Sequence, residues 1–264
     1  MRILIIGFGS IGKRHYENFS KFSEVKVFDN KKRQKNSIFF KDIESSIKWN
    51  PDGVVISTPT DSHIEMVKYF LEKTKKILVE KPISNNYESA AEFQKLNKNK
   101  INEIFVVCNL RFHQALEIIK KEIKKLGKIF FVRAHFGNWL PNMRPNTDYK
   151  ENYSASVKKG GGLIFDSIHE IDYLNFLFGD IIKIYSVKKK VSNLCISGED
   201  ICALIIKHKN DVISELHLDY LRPIKKRGCE IVGENGTLIW ESEGLASWNI
   251  RPGLHICSLD RQWC

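Results

Sequence analysis

The chain opens Met1-Arg2-Ile3-Leu4-Ile5-Ile6-Gly7-Phe8-Gly9-Ser10-Ile11-Gly12, and this stretch decides the fold. The apolar run Ile3 to Ile6 reads as a buried strand. It leads straight into Gly7-x-Gly9-x-x-Gly12. Gly7 permits a tight turn, Gly9 lets a pyrophosphate approach the backbone, and Gly12 lets the next helix pack close to the strand. The first amides of that helix, at Ser10, Ile11 and Gly12, then face the phosphates. A glycine turn alone is a weak sign. Here it lies between a strand and a helix, and Asp29 closes the second apolar strand, Val25-Lys26-Val27-Phe28. A carboxylate at that place accepts from a ribose 2′-hydroxyl. The stretch therefore reads as a nicotinamide dinucleotide site, against the alternative of a structural turn in some other α/β protein. Asp29 argues for NAD, since a carboxylate repels a 2′-phosphate; Lys31, Lys32 and Arg33 keep NADP open.

Strand and helix alternate through the first half. Asp52 to Ser57 reads as a third buried strand ending at Pro59, followed by a helix over Asp61–Leu71 capped by Asp61 or Thr60. Lys76 to Glu80 is the next strand, stopped by Lys81-Pro82. A helix over Tyr87–Asn97 with a Ser84 cap and a strand over Ile104–Cys108 complete the series. Such alternation implies a mostly parallel sheet with helices on both faces. Ligands bind there at the carboxyl ends of strands, where Gly9, Asp29, Thr58, Lys81 and Asn109 fall.

The rhythm changes after about residue 112. A helix over Gln114–Leu126 closes at Gly127, and a strand over Lys128–His135 leads into a loop rich in Pro, Asn, Arg and Tyr. A second helix, Asp166–Phe178, ends at Gly179. Strand-like runs follow at Ile181–Val191, Asp200–His208, Val212–Tyr220, Cys229–Gly233 and Thr237–Glu241. The fold class is α/β: an N-terminal Rossmann domain with a doubly wound parallel sheet over residues 1–112, then an α+β domain with an open, largely antiparallel sheet over 113–264.

Composition excludes several classes. Hydrophobic content of 42% and charged content of 28% are globular values. No apolar stretch approaches the roughly 20 residues of a membrane span, and the N-terminal run lacks the form of a signal peptide. The six cysteines form no C-x-x-C pair, and His255 beside Cys257 is a poor metal pair, so we expect a reducing cytoplasm and no metal. A net charge of +11 favours anionic ligands. No nucleic-acid-binding signature accompanies it. Lys31 to Lys35 reads as a solvated loop, and Lys120 to Lys125 as the wet face of an amphipathic helix.

Hydride chemistry needs a proton acceptor, an oxyanion stabiliser and substrate clamps. Lys81 lies at a strand end before Pro82, which restricts its backbone; a plain surface turn is the competing reading. The second constellation is Gly160-Gly161-Gly162 followed by Asp166, His169 and Asp172. Asp166 opens the helix, and His169 and Asp172 follow at one-turn intervals on one face. A satisfied buried histidine is the competing reading of His169. In the loop from Trp139 to Lys159, Arg144, Tyr149 and Tyr153 are expected to contact substrate, against a merely solvated loop.

Gly7-x-Gly9-x-x-Gly12 with Arg14-His15, then Ser57-Thr58-Pro59-Thr60-x-x-His63, Glu80-Lys81-Pro82, Asn109-x-Arg111-Phe112 and the triple-glycine Asp/His helix together resemble the Gfo/Idh/MocA oxidoreductases. The resemblance runs through about residue 245 in the family's order. It implies NAD(P)-dependent hydride transfer at a hydroxyl carbon of a sugar, cyclitol or nucleotide sugar, and a homo-oligomer through the C-terminal sheet. It implies that Lys81 polarises the reacting oxygen, that His169 accepts the proton, and that Asp166 orients substrate and base. Thr58, Pro59, His63, Glu80, Lys81 and Asn109 would join the glycines and Asp29 around the cofactor, and Arg111 would join the substrate contacts. The Asp166-x-x-His169 spacing is one residue shorter than the family's common form. Leu140-Pro141-Asn142-Met143-Arg144-Pro145, Asp148-Tyr149, Tyr153-Ser154-Ala155 and His169-Glu170-Ile171-Asp172 resemble a subgroup linked to bacterial surface-glycan sugars. The chain also ends early for the family, in a tail without lysine. That leaves a second expectation open: a truncated or catalytically silent dinucleotide-binding protein.

Overall fold

A computed structural model describes residues 1–30, 37–99, 103–144, 147–241 and 244–248. The basic run at 31–35, Pro145, His255, Cys257 and Cys264 lie outside the described residues. The chain divides into two compact units, Met1–Val107 and the part from Cys108 onward.

In the first unit five strands run parallel in the order β2-β1-β3-β4-β5: β1 Arg2–Ile6, β2 Glu24–Phe28, β3 Gly53–Ile56, β4 Lys76–Val79 and β5 Ile104–Val106. Apolar runs rather than alternation fit strands covered on both faces. Accordingly Leu4 and Ile6 pack into one core with Val54, Ile56, Val67 and Phe70, whereas Ile3 and Ile5 pack into another with Val25, Val27 and Val55. Four helices connect the strands: α1 Ser10–Phe19, α2 Ile43–Lys48, α3 His63–Phe70 and α4 Tyr87–Asn99.

Helix ends need correction. Helix α2 falls in a stretch to which the sequence reading assigns no element; the Asp42 carboxylate caps it by accepting from the Ser45 N–H at 2.7 Å. Neither Asp61 nor Thr60 caps α3, because Thr60–Ser62 forms a separate 3-10 turn ahead of it. Asn86, not Ser84, receives the Ser89 N–H of α4, at 2.9 Å. Ser84 instead accepts from the Asn86 N–H, one step earlier in the same turn.

The second unit carries a seven-stranded sheet in the order β12-β11-β10-β6-β9-β8-β7. Its strands are β6 Ile129–Gly137, β7 Ile181–Lys189, β8 Ile201–His208, β9 Ile213–Asp219, β10 Lys226–Gly233, β11 Gly236–Glu241 and β12 Gly244–Trp248. Only β6 and β9 pair in parallel; the other pairs are antiparallel. Strict alternation shows in β8: Cys202, Leu204, Ile206 and His208 are buried, and the residues between them face out. One face of the sheet is thus covered. Its cover comes from α5 Gln114–Glu122 and α7 Ile168–Phe178, whose Leu116, Ile119, Leu174 and Phe178 share the core with Val132, Leu204 and Leu216. The expected helix Asp166–Phe178 is two pieces. A four-residue α6, Leu163–Asp166, ends before Ser167, and α7 starts afresh at Ile168. Strand β12 lies beyond the last strand expected from the sequence.

Among the described residues Cys195, Cys202 and Cys229 are free thiols, and no helix is long and apolar enough to cross a membrane. Burial pushes the Cys229 thiol up to about 12.

Candidate functional site

The glycine turn is built by close packing. Gly7 has φ +88°, and a Cβ there would meet the Ser57 carbonyl oxygen at 2.8 Å. A Cβ on Gly12 would lie 2.1 Å from the Gly7 carbonyl oxygen, so α1 sits directly on the turn. The Ser57 hydroxyl at the end of β3 lies 3.0 and 2.9 Å from the Ile6 and Gly7 carbonyls, tying the neighbouring strand to the same turn. Around Gly9, by contrast, an added Cβ would meet nothing within 4 Å. Gly9 precedes α1 without a side-chain cap, and no acidic residue occupies the helix's first turn. Uncapped amides at the positive end of the dipole beside open space are what a pyrophosphate needs. The residues present fit a dinucleotide.

Asp29 lies where the sequence places it, and it also reaches back to the turn: its Oδ2 accepts from the Phe8 N–H at 2.6 Å. A carboxylate has about four acceptor sites, so this bond leaves capacity for a ribose hydroxyl. The bond also joins β2 to the glycine turn, a link the sequence did not disclose.

At the carboxyl ends of β3 and β4 the side chains hold one another. His63 is buried, with Nδ1 2.9 Å from the Pro82 carbonyl and Nε2 2.9 Å from the Thr58 carbonyl. Both ring nitrogens therefore face backbone oxygens, which fits a brace between two strand ends rather than the cofactor contact expected of it. Burial is the main influence on this ring and lowers its pKa, outweighing the two carbonyls. Glu80 is also buried; its Oε1 pairs with His15 Nε2 of α1 at 2.7 Å, and its Oε2 accepts from the Lys81 N–H at 3.2 Å. Lys81 precedes Pro82 through a cis peptide bond and is half-buried. Thr58 is half-buried and accepts from the Ser62 hydroxyl, and Pro59 is exposed.

In the second unit Asn109 and Arg111 lie on the 3-10 turn Asn109–Phe112. Arg111 makes two bonds to the Asp172 carboxylate, at 2.9 and 2.5 Å, and its guanidinium lies 5.1 Å from the Phe176 ring centre. Asp172 thus serves Arg111 rather than His169. Asp166, at the end of α6 and not at a helix start, accepts from Tyr153 at 2.5 Å and from Tyr220 at 3.1 Å. His169 is half-buried in the first turn of α7. Arg144 stacks over the Tyr153 ring at 4.5 Å. The Tyr149 hydroxyl accepts from the Cys195 N–H at 3.1 Å, which ties this loop to the segment at Cys195 and leaves the phenol its own donor. The triple glycine packs against its own chain: a Cβ on Gly161 would lie 1.8 Å from the Tyr153 carbonyl oxygen. Tyr220 and the buried Glu170–Arg227 pair were not singled out in the sequence. Tyr220 closes an alternating strand as a buried aromatic, the one sign that could have marked it.

Residues 1–108 match the family model described as oxidoreductase family, NAD-binding Rossmann fold, and residues 112–239 match the GFO/IDH/MocA C-terminal domain. The chain belongs to the GFO/IDH/MocA family. Among curated relatives, an inositol 2-dehydrogenase of Rhizobium meliloti is 31% identical over 49% of this chain and 37% of its own length. A myo-inositol 2-dehydrogenase of Thermotoga maritima is 25% identical over 69% of this chain and 56% of its own length. An uncharacterised oxidoreductase of Synechocystis is 24% identical over 75% of this chain and 57% of its own length. The chain thus spans less than two thirds of each. Among solved structures, the WlbA dehydrogenase from Bordetella pertussis, in complex with NADH and UDP-GlcNAcA, superposes with a TM-score of 0.82 at 20% identity, covering 96% of this chain and 84% of that one. UDP-N-acetylglucosamine 3-dehydrogenase GnnA from Acidithiobacillus ferrooxidans gives 0.79 at 17% identity, over 99% and 84%. At these identities the likeness carries the fold.

Proposed function

We propose that this protein is an NAD-dependent oxidoreductase that moves a hydride between nicotinamide and a hydroxyl carbon of a sugar, cyclitol or nucleotide sugar. The observation that carries the reading is the uncapped start of α1 beside open space at Gly9, with Asp29 at the end of β2. Residues 1–112 form the cofactor domain in this reading and 113–264 the substrate and dimerisation domain. Gly7, Gly9, Ser10, Ile11 and Gly12 take the pyrophosphate, and Asp29 the adenosine ribose. Thr58, Pro59, Lys81 and Asn109 border the cofactor. His63 and Glu80 support that border: Glu80 accepts from the Lys81 N–H, and a His63 ring nitrogen lies 2.9 Å from the Pro82 carbonyl. NAD, when bound, supplies the hydride acceptor or donor.

The chain's own residues handle the proton and the charge. Lys81 polarises the reacting oxygen through its ammonium. His169 takes the hydroxyl proton on oxidation, as an imidazole does near neutral pH. Asp166 orients base and substrate, and Arg144 and Tyr153 are the substrate-loop contacts. The named activities of the relatives, on inositols and on UDP-linked amino sugars, support a polyhydroxylated ring as substrate. The Leu140–Arg144 signature supports a surface-glycan sugar, and the spacing of the cysteines in the sequence supports work in a reducing cytoplasm.

Fluorescence titration with NADH and NADPH tests the cofactor; NADH binds more tightly because Asp29 repels the 2′-phosphate. Lys81→Ala lowers turnover by about two orders of magnitude or more with cofactor affinity nearly intact. Protein that binds NADH yet oxidises nothing in a broad panel of sugars, cyclitols and nucleotide sugars would overturn the enzyme reading in favour of a silent binding protein.

A further inference from the structure

We infer that Tyr153 and Tyr220 are positioning residues that together set the orientation of the Asp166 carboxylate; the inference rests on the oxidoreductase reading for its catalytic consequence. Each phenol donates to a different oxygen, Tyr153 to Oδ1 at 2.5 Å and Tyr220 to Oδ2 at 3.1 Å. They arrive from separate places in the chain. Tyr153 begins the 3-10 turn Tyr153–Ala155, and Tyr220 follows β9 directly.

Both approaches are enforced by packing. Tyr220 is fully buried, and its N–H donates to the Asp200 carbonyl at 2.9 Å. The turn bearing Tyr153 lies against the triple glycine, where Gly161 leaves no room for a Cβ and the Gly162 N–H donates to the Ser154 carbonyl at 3.2 Å. Gly161 thus makes way for this turn. One donor on each oxygen restricts how the carboxylate can turn about its side-chain bonds.

The phenols keep their protons: burial first, and then the Asp166 charge, push both tyrosines well above the ordinary range. Among the described contacts, this carboxylate meets Tyr153 from the loop and Tyr220 from the sheet, with Arg144 stacked on Tyr153.

Tyr220→Phe and Tyr153→Phe each remove one hydroxyl and keep the ring. On a sugar that the wild type oxidises, we expect kcat to fall roughly tenfold in each, with KM for NAD within about twofold. A purely structural tie would alter thermal stability and leave kcat in place. Crystal structures of both variants follow the same group without turnover: the Asp166 carboxylate should leave the orientation it holds in the wild type. A carboxylate unmoved in both variants overturns the inference whether or not the protein is active. An active wild type with kcat unchanged in both variants overturns it too, and leaves the oxidoreductase reading standing. An inactive wild type whose carboxylate still turns in the variants ends only the catalytic reading.

Discussion

His63 illustrates what a residue's neighbours decide. The sequence groups it with the cofactor residues, yet its two nitrogens lie 2.9 Å from the carbonyls of Pro82 and Thr58. A neutral imidazole donates from one nitrogen only, and burial holds the folded pKa below the ordinary 6.5. In the unfolded chain the ring protonates near its ordinary value. As pH falls through the interval between the two, the unfolded state binds more protons and stability drops; above the unfolded value the contribution is complete. Urea midpoints measured at about pH 7.5 and about pH 5.5 should therefore fall on acidification, and His63→Gln should show a shallower fall. Equal slopes would assign the acid sensitivity to other histidines, of which His113 and His135 are also held low by burial. The glycines of the first turn were legible because a missing Cβ has direct steric meaning. His63 was not, because its partners are backbone oxygens that only the fold brings near.

At the scale of elements, periodicity revealed most strands and helices and missed their interruptions. The run from Asp166 to Phe178 carries no glycine or proline, so nothing local announces the break at Ser167, where ψ reaches 20°. The break bears on the short spacing from Asp166 to His169: the two residues belong to different helices, and regular helical geometry does not relate them. It also precedes Glu170, a fully buried carboxylate whose Oε1 meets Arg227 Nε of β10 at 2.6 Å. That guanidinium stacks on Phe136 of β6 at 4.4 Å, so one ion pair joins α7 to two strands. A charge in a heptad-free stretch reads as solvent-facing from sequence, which is why the pair stayed hidden. Removing one partner strands the other in the core. Arg227→Ala should cost about 3–5 kcal/mol, while Glu170→Met with Arg227→Leu should recover most of that loss. Chemical denaturation of the single and double variants checks both; a single variant within about 1 kcal/mol of wild type would show the pair to be dispensable.

Across the whole molecule, the second sheet has one face covered by α5 and α7 and another that carries no helix among the described residues. On the uncovered face Tyr185 lies opposite Ile205, Val187 opposite Ala203, and Ile213 opposite Lys207. Ile205 is 44% exposed and Val187 75%, and beside them Arg133 and Glu215 form a surface ion pair. A contiguous apolar patch on a sheet face marks an association surface more often than a bare one. The edge does not serve that role: β7 carries Lys183, Lys188 and Lys189, and lysines on an edge strand discourage pairing with another strand. Association would then be face to face, a second copy covering the Tyr185–Ile205 patch. Light scattering of the wild type should give a dimer or larger. Ile205→Lys, which places charge at the centre of the patch without entering the core, should shift it toward monomer with the fold intact by circular dichroism. A wild type that remains monomeric at tens of micromolar, or an Ile205→Lys variant whose mass does not change, removes this face from consideration.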